Sequence, residues 1–325
     1  MTPSYRLTVN GKNITPKLSG RLINLTLTDE SGDTADQLDI TLDDTDGELA
    51  IPPRKAQLQL WIGFEGDLVN KGTFIVDEVN HSGPPDILTI RARSSDFNDS
   101  LKTKREQSWH QNTLGDILTT VAKRNGLQPA ISDQLINTPI EHIDQTNESD
   151  LNLLTRLGKQ HGAVATVKAN KLLFTPKGAG KTASGKLIKP VPITRSEGDK
   201  HNYSETGRDS DYTGVQANWT DTNKATQEKV IAGDNARVKV LRHSYPNAED
   251  AQKAAVNEWH TLKRAGASCT LELAIGNAKL YPETPVKAIG FKKQIDNAPW
   301  VIERVVHSLG DGGYVTSVEL MVGEA

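Results

Sequence analysis

Gly178-Ala179-Gly180-Lys181-Thr182 is the stretch that most invites a chemical reading, because glycines ahead of Lys-Thr can cradle a phosphate. A phosphate-binding loop needs Gly, four residues, then Gly-Lys-Ser/Thr, running into a helix whose amides face the anion. Five residues before Gly180 stands Thr175, and in the other frame Gly185-Lys186 continues with Leu187. Lys189-Pro190-Val191-Pro192 then blocks a helix, so a flexible basic linker is the better reading. Asp43-Asp44-Thr45-Asp46-Gly47 suggests a calcium loop, but with Gly47 in the sixth position the first and twelfth ligands would be Leu42 and Pro53. An acidic turn remains.

Other reactive side chains form no catalytic pattern. The eight histidines (81, 110, 142, 161, 201, 243, 260 and 307) show no pair at helical ligand spacing. Neither His-Glu-x-x-His nor Gly-x-Ser-x-Gly occurs. Cys269 is the single cysteine and lies beside an apolar strand, where it reads as a small core residue. It rules out an internal disulfide and any paired-thiol metal site. Trp259 and Trp300 fall on apolar stripes and read as core. No catalytic, cofactor-binding or metal-ligating residue is assigned, and the chain is expected not to be an enzyme.

Composition narrows the class. The 325 residues carry 38 Lys plus Arg against 41 Asp plus Glu, a formal charge of −3. That balance argues against holding nucleic acid by net positive charge. The excess is uneven: residues 1–100 carry −7, 101–200 carry +6 and the rest −2. Apolar residues at 36% suffice for a sizeable core, and at about 150 residues per domain the length fits two or three domains. The start, Met1-Thr2-Pro3-Ser4-Tyr5-Arg6, lacks a basic head followed by an apolar stretch. No run reaches the ~18 apolar residues of a membrane helix. These features predict a soluble chain folded in a cytoplasm, with no membrane insertion.

The elements that position these residues are mostly strands. Ile23, Leu25 and Leu27 alternate with polar neighbours, as do Leu38, Ile40 and Leu42; Leu58, Leu60, Ile62 and Phe64; and Leu88, Ile90 and Ala92. A period of two buries one face and wets the other. Asn10-Gly11, Asp46-Gly47, Pro52-Pro53 and Gly83-Pro84-Pro85 punctuate the runs, which predicts a small barrel or sandwich over 1–100. The period then changes. Leu114, Ile117, Leu118, Val121 and Ala122 predict a helix capped by Thr113 with Asp116, ending at Asn125-Gly126. A second helix runs from Asp150 to Gln160, capped by Ser149, with Leu151, Leu154 and Leu157 as its stripe. Two short runs, Ala163–Val167 and Leu172–Thr175, complete an α+β unit, and 176–190 reads as a Gly/Lys/Ser-rich linker. Strands return at Val215 to Trp219, Leu271 to Ile275, Trp300 to His307 and Val318 to Val322. A helix near 248–265 interrupts them: Asn247 caps it, Ala255, Trp259 and Leu262 face inward, and Lys263 and Arg264 complement the dipole at its end.

Two resemblances add to this reading. The Thr113–Gly126 helix is similar to the opening half of a lysin motif, which implies, as an alternative function, a peptidoglycan-binding module of a tail or secretion spike. The wider match is to Leu42-Asp-Asp-Thr-Asp-Gly47 with Ile51-Pro52, Gly72-Thr-Phe-Ile-Val-Asp-Glu-Val79, Ser82-Gly-Pro-Pro85, Ser108-Trp109, Thr113-Leu-Gly-Asp-Ile117 and Gln145-Thr-Asn-Glu-Ser-Asp150. It continues through Leu154-Thr-Arg-Leu-Gly158, Lys171-Leu-Leu-Phe-Thr-Pro176, Trp300-Val-Ile-Glu-Arg-Val305, Gly313 and Thr316. In order and over nearly the whole chain, this resembles the late control D family of contractile phages, the baseplate hubs; residues 195–245 match least.

The resemblance implies a mainly β chain with an α+β insertion. Two tube-like antiparallel β-barrel domains would span 1–100 and 186–325, with the α+β domain and its linker at 101–185. Three chains would form a homotrimeric ring of pseudo-sixfold symmetry. That ring would join the hexameric tail tube protein to the trimeric central spike protein, beside other baseplate proteins. The expected location is the virion tail baseplate, assembled in the bacterial host cytoplasm, with DNA passing transiently through the lumen and no cofactor. The −7 of the first region is expected to line that channel.

Overall fold

The computed structural model describes residues 2–32, 34–94, 99–168, 170–205, 212–221 and 226–323. The first part contains β1 (Pro3–Val9), β2 (Lys12–Asn13), α1 (Thr15–Leu18), β3 (Leu22–Glu30), β4 (Gln37–Asp43), β5 (Gln57–Phe64), β6 (Asp67–Ser82) and β7 (Ile87–Ser94). The middle contains α2 (Asp99–Lys102), β8 (Lys104–Thr113), α3 (Leu114–Arg124), β9 (Gln128–Ile131), α4 (Asp133–Ile136), β10 (Pro139–Ser149), α5 (Asp150–Gln160), β11 (Ala163–Lys168) and β12 (Lys171–Pro176). The last part begins with β13 (Val191–Thr194), β14 (Gly198–Glu205), β15 (Gly214–Asp221), β16 (Thr226–Gly233), β17 (Val238–Tyr245) and α6 (Ala248–Ala265). It ends with β18 (Ala267–Leu273), β19 (Pro285–Ile289), α7 (Lys293–Asp296), β20 (Trp300–Gly310) and β21 (Gly313–Val322).

The fold is mainly β, with the α+β unit in the middle. The two strand-rich ends share one 13-stranded sheet in the order β14-β18-β21-β20-β3-β4-β7-β6-β5-β1-β2, with β19 branching from β20 and β13 from β19. β3 makes the join: it pairs antiparallel with β4 on one side and with β20 on the other, from Arg304 opposite Glu30 to Gly310 opposite Asn24. Pairings among the described residues close no ring, so the two separate barrels expected from the resemblance are not drawn by the hydrogen-bond ladder. Three smaller sheets stand apart: β8-β10, β11-β12-β9 and β16-β15-β17.

Period-two burial holds along most of the expected runs, with Phe64 only partly buried. Leu25, Leu27, Leu38, Ile40, Leu42, Leu58, Leu60, Ile62, Leu88 and Ala92 are buried in the first core, which also takes in Ala278, Leu309 and Tyr314 from the last part. Each fully buried Leu or Ile of this kind contributes about 1.5–3 kcal/mol. Ile23 departs from the pattern. A register shift between Leu22 and Asn24 turns it outward, because a bulge inserts one residue and reverses the side-chain alternation. Ile275 also departs: β18 ends at Leu273, the Ala274 amide turns to the Glu197 carbonyl, and Ile275 is left exposed.

The helices follow their caps. Thr113 and Asp116 form a reciprocal capping box, worth about 1 kcal/mol, and Gly126 takes φ 71° just past the helix. Ser149 accepts from the Asn152 amide at the start of α5, and Asn247 accepts from the Asp250 amide at the start of α6. Leu154 and Leu157 are buried as expected, whereas Leu153 takes the core position expected for Leu151, which packs at the margin. Trp300 is buried; Trp259 is only partly so, packed beside Ala251 and Ala255 with Lys263 over its ring. No helix among the described residues is long and apolar enough to cross a membrane.

Candidate functional site: a polar joint between three parts of the fold

A cluster of charged side chains lies where the parts meet. Asp29 and Glu30 at the end of β3, with Ser31 after it and Asp36 just before β4, meet residues of both other parts. Lys168, the last residue of β11, pairs with Asp29 and lies 3.4 Å from Asp36. On the other side, Arg304 pairs with Glu30 at 3.1 Å and with Glu319 at 3.2 Å. The Ser31 amide donates to the Glu303 carbonyl at 3.0 Å, and its hydroxyl donates to Glu283 at 2.7 Å. Lys177 pairs with Glu303 at 3.2 Å. Lys71 donates to the Leu280 carbonyl at 3.3 Å, with its ammonium 3.9 Å from the centre of the Tyr281 ring.

Burial sets the electrostatics. Withdrawal from water, with Asp29 close by, pushes the Asp36 carboxyl up to about 7. Burial lowers the Lys71 ammonium to about 8. Burial also works against the charge of Lys168, but Asp36 and Asp29 outweigh it and hold the ammonium above its ordinary range. Glu283 is raised by burial, although Ser31 and Gly178 both donate to it. Beneath the joint His307 is fully buried; Thr316 and Tyr314 hydroxyls lie 3.0 Å from its Nδ1, and burial drops its pKa to about 2, so the ring stays neutral. The cluster can hold a proton near neutrality and lock three parts together. It contains no activated nucleophile.

The residues singled out in the sequence fall elsewhere or acquire internal partners. The Gly178 amide donates to Glu283 at 2.8 Å, so a carboxylate of the same chain occupies the place a phosphate would need. The 176–190 segment is folded back on itself, with the Ile188 amide on the Gly180 carbonyl at 2.9 Å. In the acidic turn, Asp43 accepts from the Thr45 amide, Asp46 pairs with Arg21, and buried Asp44 accepts from the Leu49 amide and meets His81. Cys269 is buried, and burial pushes its thiol up to about 11. His110 and His142 stack across the β8-β10 ribbon with Nδ1 atoms 3.0 Å apart, and Asp144 orients His142 from its other nitrogen at 2.9 Å. Among the described residues, no group of three or more His, Cys, Asp or Glu is arranged to hold a metal.

Sequence reasoning did not single out the joint, nor Asp150. This first residue of α5 is fully buried and accepts from Arg124 Nε at 2.8 Å, Asn125 at 2.7 Å and Gln145 at 2.9 Å. Burial alone would raise its pKa, but those donors hold it below the ordinary carboxylate range.

A family model for the phage tail baseplate hub (GPD) matches residues 35–313. The chain is 42% identical to the probable baseplate hub protein of Escherichia phage 186, covering 99% of this chain and 93% of the relative. It is also 42% identical to that of Escherichia phage P2, covering 99% and 94%. Among solved structures, the fold is similar to a tail protein from Neisseria meningitidis (TM-score 0.73, 14% identity, 99% and 97% covered). It is similar too to a 43 kDa tail protein of prophage MuSo2 from Shewanella oneidensis (TM-score 0.71, 16% identity, 99% of each chain). A type VI secretion component of Escherichia coli matches at TM-score 0.56, with 14% identity over 98% of this chain and 77% of that one. With its full-length kinship at 42% identity and a fold shared with tail proteins, the chain belongs to the phage tail baseplate hub family.

Proposed function

We propose that three copies of this chain form a ring that joins the hexameric tail tube to the trimeric central spike, in a structural, non-catalytic role. The observation that carries this reading is the β3–β20 ladder. It makes the two strand-rich ends one continuous sheet, braced by Arg304–Glu30 and Ser31–Glu283, so that load applied at one end reaches the other through hydrogen bonds rather than a flexible tether. Six such ends in a trimer would match a sixfold tube, while the threefold axis fits the spike. In this reading 1–100 and 186–325 are the two tube-like units, 101–185 decorates them, and DNA passes through the lumen.

Strands at the sheet ends support the reading: among the described residues β14 pairs only with β18, and β2 covers β1 only at Thr8 and Val9. Open edges of that kind can continue a sheet into a neighbouring copy. The test is co-expression with the spike protein of the same particle, followed by light scattering and electron microscopy. A threefold complex is expected. A chain that stays monomeric and fails to engage spike or tube overturns the reading, and retention on purified cell walls instead favours the peptidoglycan-binding alternative.

A further inference from the structure

We propose that the cleft between the end of α5 and β17 docks an acidic polypeptide segment of a partner protein, one that carries apolar residues between its carboxylates. The cleft encloses about 480 Å³ between the last turn of α5, β17 and α6. Its charge has a source in the sequence. From Leu151 to Ser196 there is no Asp or Glu, against nine Lys and Arg. Three of the nine are matched within the fold: Arg156 by Glu148, Lys168 by Asp29 and Asp36, and Lys177 by Glu303. Lys159 is not among these, and stands exposed at the mouth of the cleft.

β17 supplies the facing wall. It is an outer strand of its sheet, and its register with β15 slips: Val240 opposes Gln216 and Ser244 opposes Asn218, so three residues face the single Ala217. The slip lifts Arg242 and His243 off the ladder, and both are exposed. Glu258, the one carboxylate in the lining, is already engaged by Lys239 at 2.6 Å. The carbonyl end of α5 would repel an anion, but Asn257 donates to the Gln160 carbonyl at 2.5 Å and covers it. The cleft therefore presents Lys159 of α5 and Arg242 of β17 with no carboxylate paired to either among the described residues.

The apolar component selects the partner. Val240, two residues before Arg242, is 51% exposed in the lining, and Tyr245 and Ala254 line the same cleft. Nucleic acid is bound by a row of cations tracking the phosphates and by aromatic faces that stack on bases. Here the one tyrosine ring of the lining, Tyr245, is packed against the core under α6. Two cations in one lining with the exposed Val240 suit carboxylates interleaved with apolar residues instead, an electrostatic match that steers and orients a protein partner.

The experiment uses the full chain and a short fluorescein-labelled peptide of alternating Asp and Val, followed by anisotropy at low salt. Binding is expected to weaken at least about tenfold in the Lys159→Glu/Arg242→Glu variant. The exposed Lys171→Glu variant, on β12 outside the lining, should bind as the wild type does. No binding of the peptide, an equal loss in Lys171→Glu, or tighter binding of a DNA duplex than of the peptide each overturns the proposal.

Discussion

The ammonium of Lys168 lies 3.4 Å from the carboxylate of Asp36 while also pairing with Asp29, so one cation from the α+β unit answers two acids of the first part, one buried and one largely so. Lys168→Met leaves both acids without it. A partly exposed lysine limits the cost to about 2 kcal/mol, below the full penalty of breaking a buried pair. Chemical denaturation checks this through the midpoint at constant slope. Adding Asp29→Asn and Asp36→Asn to the lysine variant should recover most of the loss; no recovery would show that the pairing is not its origin.

Asp36 makes stability depend on pH in a definite direction. Its carboxyl is raised to about 7 in the fold, against ~3.9 in the unfolded chain. The folded state holds the proton more tightly, so this contribution is full below about pH 4 and is lost as pH rises through about 7. Asp36→Asn keeps the uncharged form throughout. The variant's melting temperature relative to wild type should therefore be higher at about pH 8 than at about pH 5. An offset that is the same at both pH values would refute this.

Asp150 is a single carboxylate serving Arg124, Asn125 and Gln145. Asp150→Ala strands those donors in the core of the α+β unit and should cost about 3 kcal/mol. Pairing it with Arg124→Met should cost less than the sum of the two single changes. Strict additivity in a double-mutant cycle would mean the two residues do not act as a pair.

Gly276 approaches the sheet too closely for a side chain. A Cβ there would stand 2.5 Å from the Tyr314 ring, which is buried against the joint. Gly276→Ala should destabilise by about 1–3 kcal/mol through overpacking. Gly312→Ala, where a Cβ meets nothing within 4 Å, is the matched control and should leave the melting temperature nearly unchanged.

Family membership and the mainly β class were legible in the residues, as were most element positions. Thr113 with Asp116, Ser149 and Asn247 each mark a helix start because a cap is satisfied by amides two or three residues away. Strand alternation is equally local, and it failed where geometry intervened: the bulge at Ile23 and the early end of β18 before Ile275 leave no trace in a period of two.

The joint could not be read in the same way. Lys168 and Asp29 are 139 positions apart, and Ser31 and Glu283 are 252 apart. No spacing rule links such partners, since only the folded sheet brings them within range. The regional charges of −7 and +6 were plain in the sequence, and the −7 of the first region was expected to line a channel. In the fold, part of that excess is matched within the chain, where Lys168, Arg304 and Lys279 from the other parts meet Asp29, Glu30 and Asp67. Composition fixes how much charge each region carries. Tertiary structure decides which charges meet, because their interaction depends on separation in space and on burial from water, neither of which is a property of order along the chain.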